Sequence, residues 1–201
     1  MTPRPGTHVM RLALGVAVLG SVVGCGVSRV VGPTPDTFTT WSLTPLPPDP
    51  TLAQQAMNPQ SSCNSGPGGP PTQIVLQDRR TAQTAAFMFS GVNVFGSCIL
   101  TSGTGSSGGS GPALEAMTGK LSIEANAGGG GVDEATKLRE LGGRVAPEAT
   151  KVVIQLADGR SIVASLANGY WLAWWPDVVK AERVVATDAT GAEVGSIEVP
   201  G

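Results

Sequence analysis

The side chains best suited to covalent chemistry in this 201-residue sequence are three cysteines. Cys63 and Cys98 lie far apart and lack the C-x-x-C spacing of a redox pair, which favours a structural disulfide over a reactive dithiol. Cys25 follows directly after an uncharged apolar stretch, residues 12–23, that is itself preceded by Arg4 and Arg11. We therefore expect crosslinking and thiol modification from these cysteines, and no redox catalysis.

The apolar stretch before Cys25 is too short to cross a membrane. As a helix it would reach about 18 Å, against a hydrocarbon core of about 30 Å. A basic start followed by a short uncharged stretch is instead typical of a secretory signal peptide.

The segment Val22-Val23-Gly24-Cys25 resembles the lipobox of bacterial lipoproteins, with Val22 and Val23 where other residues are commoner. The resemblance implies that the Cys25 thiol receives a diacylglycerol and that cleavage removes residues 1–24 as the signal peptide. It places the protein on the extracytoplasmic face of the cell membrane, held there by lipid. The alternatives are an ordinary cleaved signal and an uncleaved anchor in which Cys25 has no role.

An exported compartment also bears on the two other cysteines. Such compartments favour disulfides, and lipidation of Cys25 leaves Cys63 and Cys98 as a pair. We expect a structural bond between them.

The composition of the mature chain excludes several kinds of function. Cleavage removes Arg4, Arg11 and the single histidine, His8, but none of the 15 acidic residues, which leaves a net charge of about −4. This balance does not favour nucleic-acid binding. Without histidine there can be no Ser-His-Asp or Cys-His triad and no zinc site that uses imidazole, so we expect no metal, no cofactor and no enzyme of those classes.

Two short motifs in the Gly/Ser-rich stretch 103–111 have no supporting context. One matches G-x-G-x-x-G and the other the G-x-S-x-G elbow, but no strand-to-helix turn is predicted there. Catalysis by paired acids or by a Ser-Lys pair stays open as an alternative. Asp188 and Glu193 flank a glycine turn and could hold calcium, but no EF-hand or repeat spacing supports this, and a solvated hairpin tip explains them better.

Four aromatic side chains form the candidate binding surface: Tyr170, Trp171, Trp174 and Trp175. In a strand, period-two alternation puts Tyr170 and Trp174 on one face and Trp171 and Trp175 on the other. Exposed indoles could stack on a glycan or enter a lipid interface. The alternative is that both faces are packed inside a sandwich.

The sequence divides into a Pro-rich tether, residues 25–60, and a domain, residues 61–201. Within the tether, Asp49-Pro50 followed by TLAQQAM predicts one short helix, and Trp41 could dock on the domain. The domain begins with predicted strands at 73–77, 85–89, 92–95 and 98–100, and Arg79-Arg80 is expected at a solvated hairpin tip. A flexible loop is expected at 103–111 and a strand at 121–125. The stretch 132–141 could be a helix that stops at Gly142-Gly143, or it could enter a strand at Arg144-Val145.

The sequence pattern of the C-terminal part predicts five short strands. Asp158-Gly159 and Asn168-Gly169 suit tight hairpin turns, and Pro176 ends the aromatic strand. The strands are expected at 151–156, 161–166, 170–175, 183–187 and 192–199. We therefore predict a mainly β fold, an antiparallel meander or β-sandwich-like single domain with at most one or two short helices.

The C-terminal part resembles small, uncharacterised envelope proteins of high-GC Gram-positive bacteria (actinobacteria). The matching residues are Gly143-Arg144-Val145, Asp158-Gly159, Asn168-Gly169, Ala173-Trp174-Trp175-Pro176 and Asp188. The resemblance implies an envelope location and a β fold, and it implies no activity.

Two functions follow from these expectations. The first is a membrane-tethered lipoprotein whose β domain meets an envelope protein or glycan. The second is an envelope hydrolase that lacks histidine and uses acids or a Ser-Lys pair.

Overall fold

A computed structural model describes residues 41–61, 63, 73–101, 104–106, 110–129, 137–176 and 179–200. Cys25, the expected signal peptide and the tether before Trp41 lie outside these residues. The described chain contains one helix, α1 (Pro50–Met57), and strands that form three antiparallel sheets. The prediction of a mainly β fold is therefore confirmed.

The first sheet contains β1 to β5, in the order β1-β2-β3-β4, with β5 also pairing with β3. Their bounds are β1 (Gln73–Arg79), β2 (Thr84–Ser90), β3 (Val94–Thr101), β4 (Thr104–Ser106) and β5 (Ser110–Pro112). The expected loop at 103–111 thus contributes two short strands. Predicted strands at 92–95 and 98–100 are one continuous strand.

The middle sheet has the order β10-β11-β7-β6. Its strands are β6 (Ala125–Gly129), β7 (Leu138–Arg144), β10 (Ser165–Ala167) and β11 (Tyr170–Pro176). Within 132–141, residues 138–141 are strand, and β7 continues through Gly142-Gly143, so the helical alternative with a stop at these glycines is wrong for this part. The strand expected at 121–125 is reduced to a single bridge between Leu121 and Val145, and regular pairing starts at Ala125.

The third sheet has the order β13-β12-β8-β9. Its strands are β8 (Lys151–Leu156), β9 (Ser161–Val163), β12 (Ala181–Thr187) and β13 (Glu193–Glu198). The strand predicted at 161–166 is split at Ala164, because β9 pairs with β8 while β10 pairs with β11 in the middle sheet. The C-terminal strands therefore do not form one meander.

The sheets are stacked, with the middle sheet between the other two. One core cluster joins Leu76, Met88 and Ile99 of the first sheet to Leu172 and Trp174 of the middle sheet. Another joins the opposite face of the middle sheet to the third sheet. Its members include Leu141, Trp171, Trp175, Val152, Ile154 and Val184.

Helix α1 covers the outer face of the first sheet. Asp49 caps the helix by accepting from the backbone N–H groups of Thr51 and Leu52, and Pro50 supplies the first position, as the sequence predicts. Leu52 and Ala56 pack with Phe87 and the buried Cys63–Cys98 disulfide. The expected disulfide is therefore present.

Residues 41–60, expected to be part of the tether, pack against the domain. The Trp41 indole N–H donates to the Trp174 carbonyl oxygen at 3.2 Å, and Leu46 forms an isolated bridge with Arg79. The folded region therefore starts at least as early as Trp41. No helix among the described residues is long and apolar enough to cross a membrane.

Candidate functional site

The tryptophans predicted as a binding surface are buried. Trp171, Trp174 and Trp175 are at most 1% exposed, and Tyr170 is half-buried and stacked on Phe95. Period-two alternation divides them as expected, but sheets cover both faces of β11. The prediction that these side chains form a binding surface is therefore wrong: the indole rings of Trp171 and Trp175 pack in one core cluster and that of Trp174 packs in another.

The indole N–H groups of these tryptophans are used inside the protein. Those of Trp171, Trp174 and Trp175 donate to the carbonyl oxygens of Ser122, Asp78 and Val179. A buried indole requires such a partner, which explains why these rings can lie fully inside.

The prediction that Arg79 and Arg80 lie at a solvated hairpin tip is wrong for Arg80. Arg80 is fully buried, and its Nε donates to the equally buried Asp78 carboxylate at 2.7 Å. Its other nitrogens donate to the carbonyl oxygens of Leu43 and Val163, and the guanidinium lies over the Trp41 ring, 5.8 Å from its centroid. Arg80 thus holds the segment around Trp41 against the sheets.

Glu140 is a second buried acid, on the face of β7 that meets the first sheet. Burial raises its pKa to about 7, the buried Ser97 hydroxyl opposes the rise, and the charge of Asp78 adds to it. Among the described residues, neither carboxyl oxygen of Glu140 has a hydrogen-bond partner with good geometry. Burial also raises the pKa of Asp78, against the opposing effects of Arg80, Ser165 and Trp174.

A cleft of about 810 Å³ lies between the edges of the first and middle sheets. β3 contributes Ser97 to its wall, β6 contributes Ala125 to Ala127, and β7 contributes Arg144. Residues of the segment 113–124, which connects β5 to β6, also line the cleft. This volume is in the range of small-ligand sites.

Three polar side chains in the cleft form one network. Arg144 donates from Nε and from one terminal nitrogen to Oε1 of Glu124, at 3.0 and 2.7 Å, and the Ser122 hydroxyl donates to the same oxygen at 2.8 Å. The other terminal nitrogen of Arg144 donates to the Glu115 carbonyl oxygen at 2.6 Å. Arg144 therefore fixes both the carboxylate and the connecting segment.

Gly143 allows this network to form. A Cβ atom at Gly143 would overlap the Ser122 carbonyl oxygen, so only glycine lets residue 122 lie this close to β7. The Ser122 N–H donates to the Arg144 carbonyl oxygen at 2.9 Å, and the Trp171 indole donates to the Ser122 carbonyl oxygen at 3.1 Å. The buried tryptophan thus supports the cleft wall from behind.

The cleft residues were not among the sequence candidates. One signal pointed toward them: alternation at 121–125 puts Ser122 and Glu124 on the same side of the chain. Arg144 lies 20 positions from Glu124, and nothing in the sequence relates the two.

At the hairpin tip considered for calcium, the Asp188 carboxylate accepts hydrogen bonds from residues of the same turn. Oδ1 of Asp188 accepts from the backbone N–H groups of Thr190 and Ala192 and from the Thr190 hydroxyl, and the Thr190 hydrogen bonds lower the pKa of Asp188. Glu193 pairs with Arg183 instead. In the described part of the chain, no three His, Cys, Asp or Glu side chains form a group that could hold a metal ion.

No known protein family, curated protein or solved structure matches this chain significantly.

Proposed function

We propose that this protein is an exported, membrane-tethered lipoprotein whose β domain binds a ligand in the cleft between the first and middle sheets. The cleft itself carries this proposal. It combines a volume of about 810 Å³ with side-chain donors and acceptors held in position by the Arg144–Glu124 pair. Sites of this kind, with a few positioned polar groups in a concave surface, are typical of ligand binding.

Site-specific photo-crosslinking in cells tests the binding site. A photoreactive amino acid is placed at Asn126, which is exposed and lines the cleft, or at Arg160, an exposed turn residue of the third sheet, as the control. We expect a discrete adduct from position 126 and none from position 160. Equal adducts at both positions, or none at position 126, would refute the cleft as the binding site.

The lipid anchor has its own test. Cys25→Ala should abolish fatty-acid labelling of the protein and either release it from the membrane fraction or leave the precursor uncleaved. Cys63→Ser serves as the control, because that cysteine should have no part in labelling. Persistent labelling of Cys25→Ala would contradict the anchor.

A hydrolase without histidine is the second candidate, and the Ser122–Glu124 contact favours it. A serine nucleophile needs a base that is free to accept its proton. Oε1 of Glu124, the oxygen that contacts Ser122, already accepts two hydrogen bonds from Arg144, so it is not free in this sense. Labelling of Ser122 by a fluorophosphonate probe, lost in Ser122→Ala, would favour the hydrolase over the binding protein.

A further inference from the structure

Strand β6 (Ala125–Gly129) forms one edge of the middle sheet, and its first three residues, Ala125 to Ala127, line the cleft. An edge strand turns alternate N–H and C=O groups away from its sheet. No strand within the described ranges pairs with the outer side of β6. The cleft wall therefore presents a row of backbone donors and acceptors.

The side chains of β6 do not protect this edge. Natural edge strands are commonly shielded by lysine, by proline or by a covering segment. Among the described strands, β13 carries Glu193 and Glu198 on its edge, and β1 is covered by the segment that pairs at Leu46. The sequence of β6, Ala-Asn-Ala-Gly-Gly, contains neither lysine nor proline, and residues this small allow close approach to the backbone.

The charges that line the cleft favour a cationic ligand. Glu124 is neutralised by Arg144 at 2.7 Å, whereas the exposed Glu115 carboxylate has no described partner. Among the described residues, Glu115 therefore adds one negative charge without a described partner to the lining of the cleft.

We propose that the ligand of this cleft is an extended polypeptide segment that adds a strand to β6 and places a lysine or arginine near Glu115. The proposal rests on the proposed function above and specifies its ligand class. Strand addition to a sheet edge is an established mode of peptide recognition, in which main-chain hydrogen bonds supply affinity. β6 has five residues, so about five residues of ligand would pair with it.

The test uses the mature, folded protein and a displayed library of random 12-residue peptides. Selected peptides are synthesised with single backbone N-methyl groups, which remove one N–H donor at a time, and their affinities are measured by calorimetry. We expect N-methylation at alternate residues to weaken binding about tenfold, with little effect at the residues between them. This periodic pattern arises from strand pairing and not from side-chain contacts alone.

Two variants locate the bound peptide. Asn126→Trp fills the cleft and should weaken binding about tenfold or more, while Arg160→Trp, on the third sheet, should leave it unchanged. Glu115→Gln should weaken the binding of peptides that carry lysine or arginine by a few fold and reduce its dependence on salt.

Several outcomes would overturn the proposal: no selected peptide binds, N-methylation has no periodic effect, or Asn126→Trp binds as well as the unmodified protein. Sedimentation that shows a dimer disrupted by Asn126→Trp would mean that a second copy occupies the edge. An adduct from position 126 that resists protease and contains glycan would also overturn it, while leaving the proposed function intact. Absence of any adduct at position 126 would instead count against the proposed function itself.

Discussion

Between the first and middle sheets the chain buries three ionisable side chains, Asp78, Arg80 and Glu140. Asp78 and Arg80 pair directly, and the carbonyl oxygens of neighbouring segments satisfy the remaining guanidinium nitrogens. Burial favours the protonated form of Glu140, for which the described residues show no ion-pair partner. At the scale of single residues, removing the charge of Arg80 should therefore destabilise the protein, whereas replacing Glu140 should remove a contribution to the pH dependence of stability.

Glu140 should make the protein less stable as pH rises through neutrality. Its pKa is about 7 in the folded protein, against a usual value of 4.5. Between these pH values the folded protein holds a proton that the unfolded chain has lost. The free energy of unfolding should therefore fall by about 3 kcal/mol as pH rises from about 4.5 to about 7.

Urea unfolding of the wild type and Glu140→Gln at pH 5 and pH 8 measures this effect. The variant should lose the component of pH dependence due to Glu140, while Asp78 contributes to both proteins. Identical pH profiles would contradict a titrating Glu140.

Arg80 and its neighbour Arg79 provide a matched pair of variants. Arg80→Met leaves the Asp78 carboxylate buried without its countercharge and should cost about 3–5 kcal/mol of unfolding free energy. Arg79→Ala removes a partly exposed pair with Asp49 and should cost less than about 1 kcal/mol. Similar losses in the two variants, measured by urea unfolding, would show that the buried pair contributes no more to stability than the partly exposed pair.

At the scale of elements, β7 and β11 organise the site. β7 carries Arg144 into the cleft at its end and runs through two glycines that lie against neighbouring chain segments. β11 supplies the buried Trp171 that supports the Ser122 carbonyl oxygen. The cleft wall therefore depends on close backbone packing at Gly143.

Gly143→Ala should displace the cleft wall. The added Cβ overlaps a backbone oxygen, which cannot move away as a side chain could, and we expect a loss of at least about 2 kcal/mol of unfolding free energy. Gly119→Ala is the control, because its Cβ would meet only the Leu121 carbonyl oxygen at an ordinary 3.7 Å. Thermal unfolding that shows equal melting temperatures for both variants would contradict this account of Gly143.

At the scale of the whole molecule, the middle sheet is covered on both sides and α1 adds a further layer. The disulfide between Cys63 and Cys98 attaches the chain after α1 to β3, closing a loop with a sequence separation of 35. The bond lies in the core beneath the helix, where Leu52 and Ala56 pack.

Removal of this disulfide should destabilise the whole domain. For a loop of this length, the Cys63→Ser/Cys98→Ser double variant should lose about 3–4 kcal/mol of unfolding free energy. Calorimetry or urea unfolding measures the loss, with the reduced wild type as a second comparison. Unchanged stability in both would show that the bond contributes little.

Local patterns predicted much of the secondary structure because they depend on neighbouring residues. Asp49 and Pro50 predicted the start of α1, and Asn168 and Gly169 predicted a hairpin turn, where both residues have positive φ. Local patterns failed at Gly142-Gly143, which was expected to end an element and instead lies inside β7. Two glycines look the same in sequence whether they end a strand or admit a close neighbour.

The sequence alone determined the strand content, the two-faced character of β11 and the pairing of two cysteines, because each follows from residue types at short or countable spacing. Only the tertiary structure decided that both faces of β11 are covered, since burial depends on which sheets stack against it. It also decided that Arg80 lies inside the protein and that Ser122, Glu124 and Arg144 meet in a cleft. These outcomes arise from contacts between segments that are distant in the sequence, and no local sequence pattern relates the residues that make those contacts.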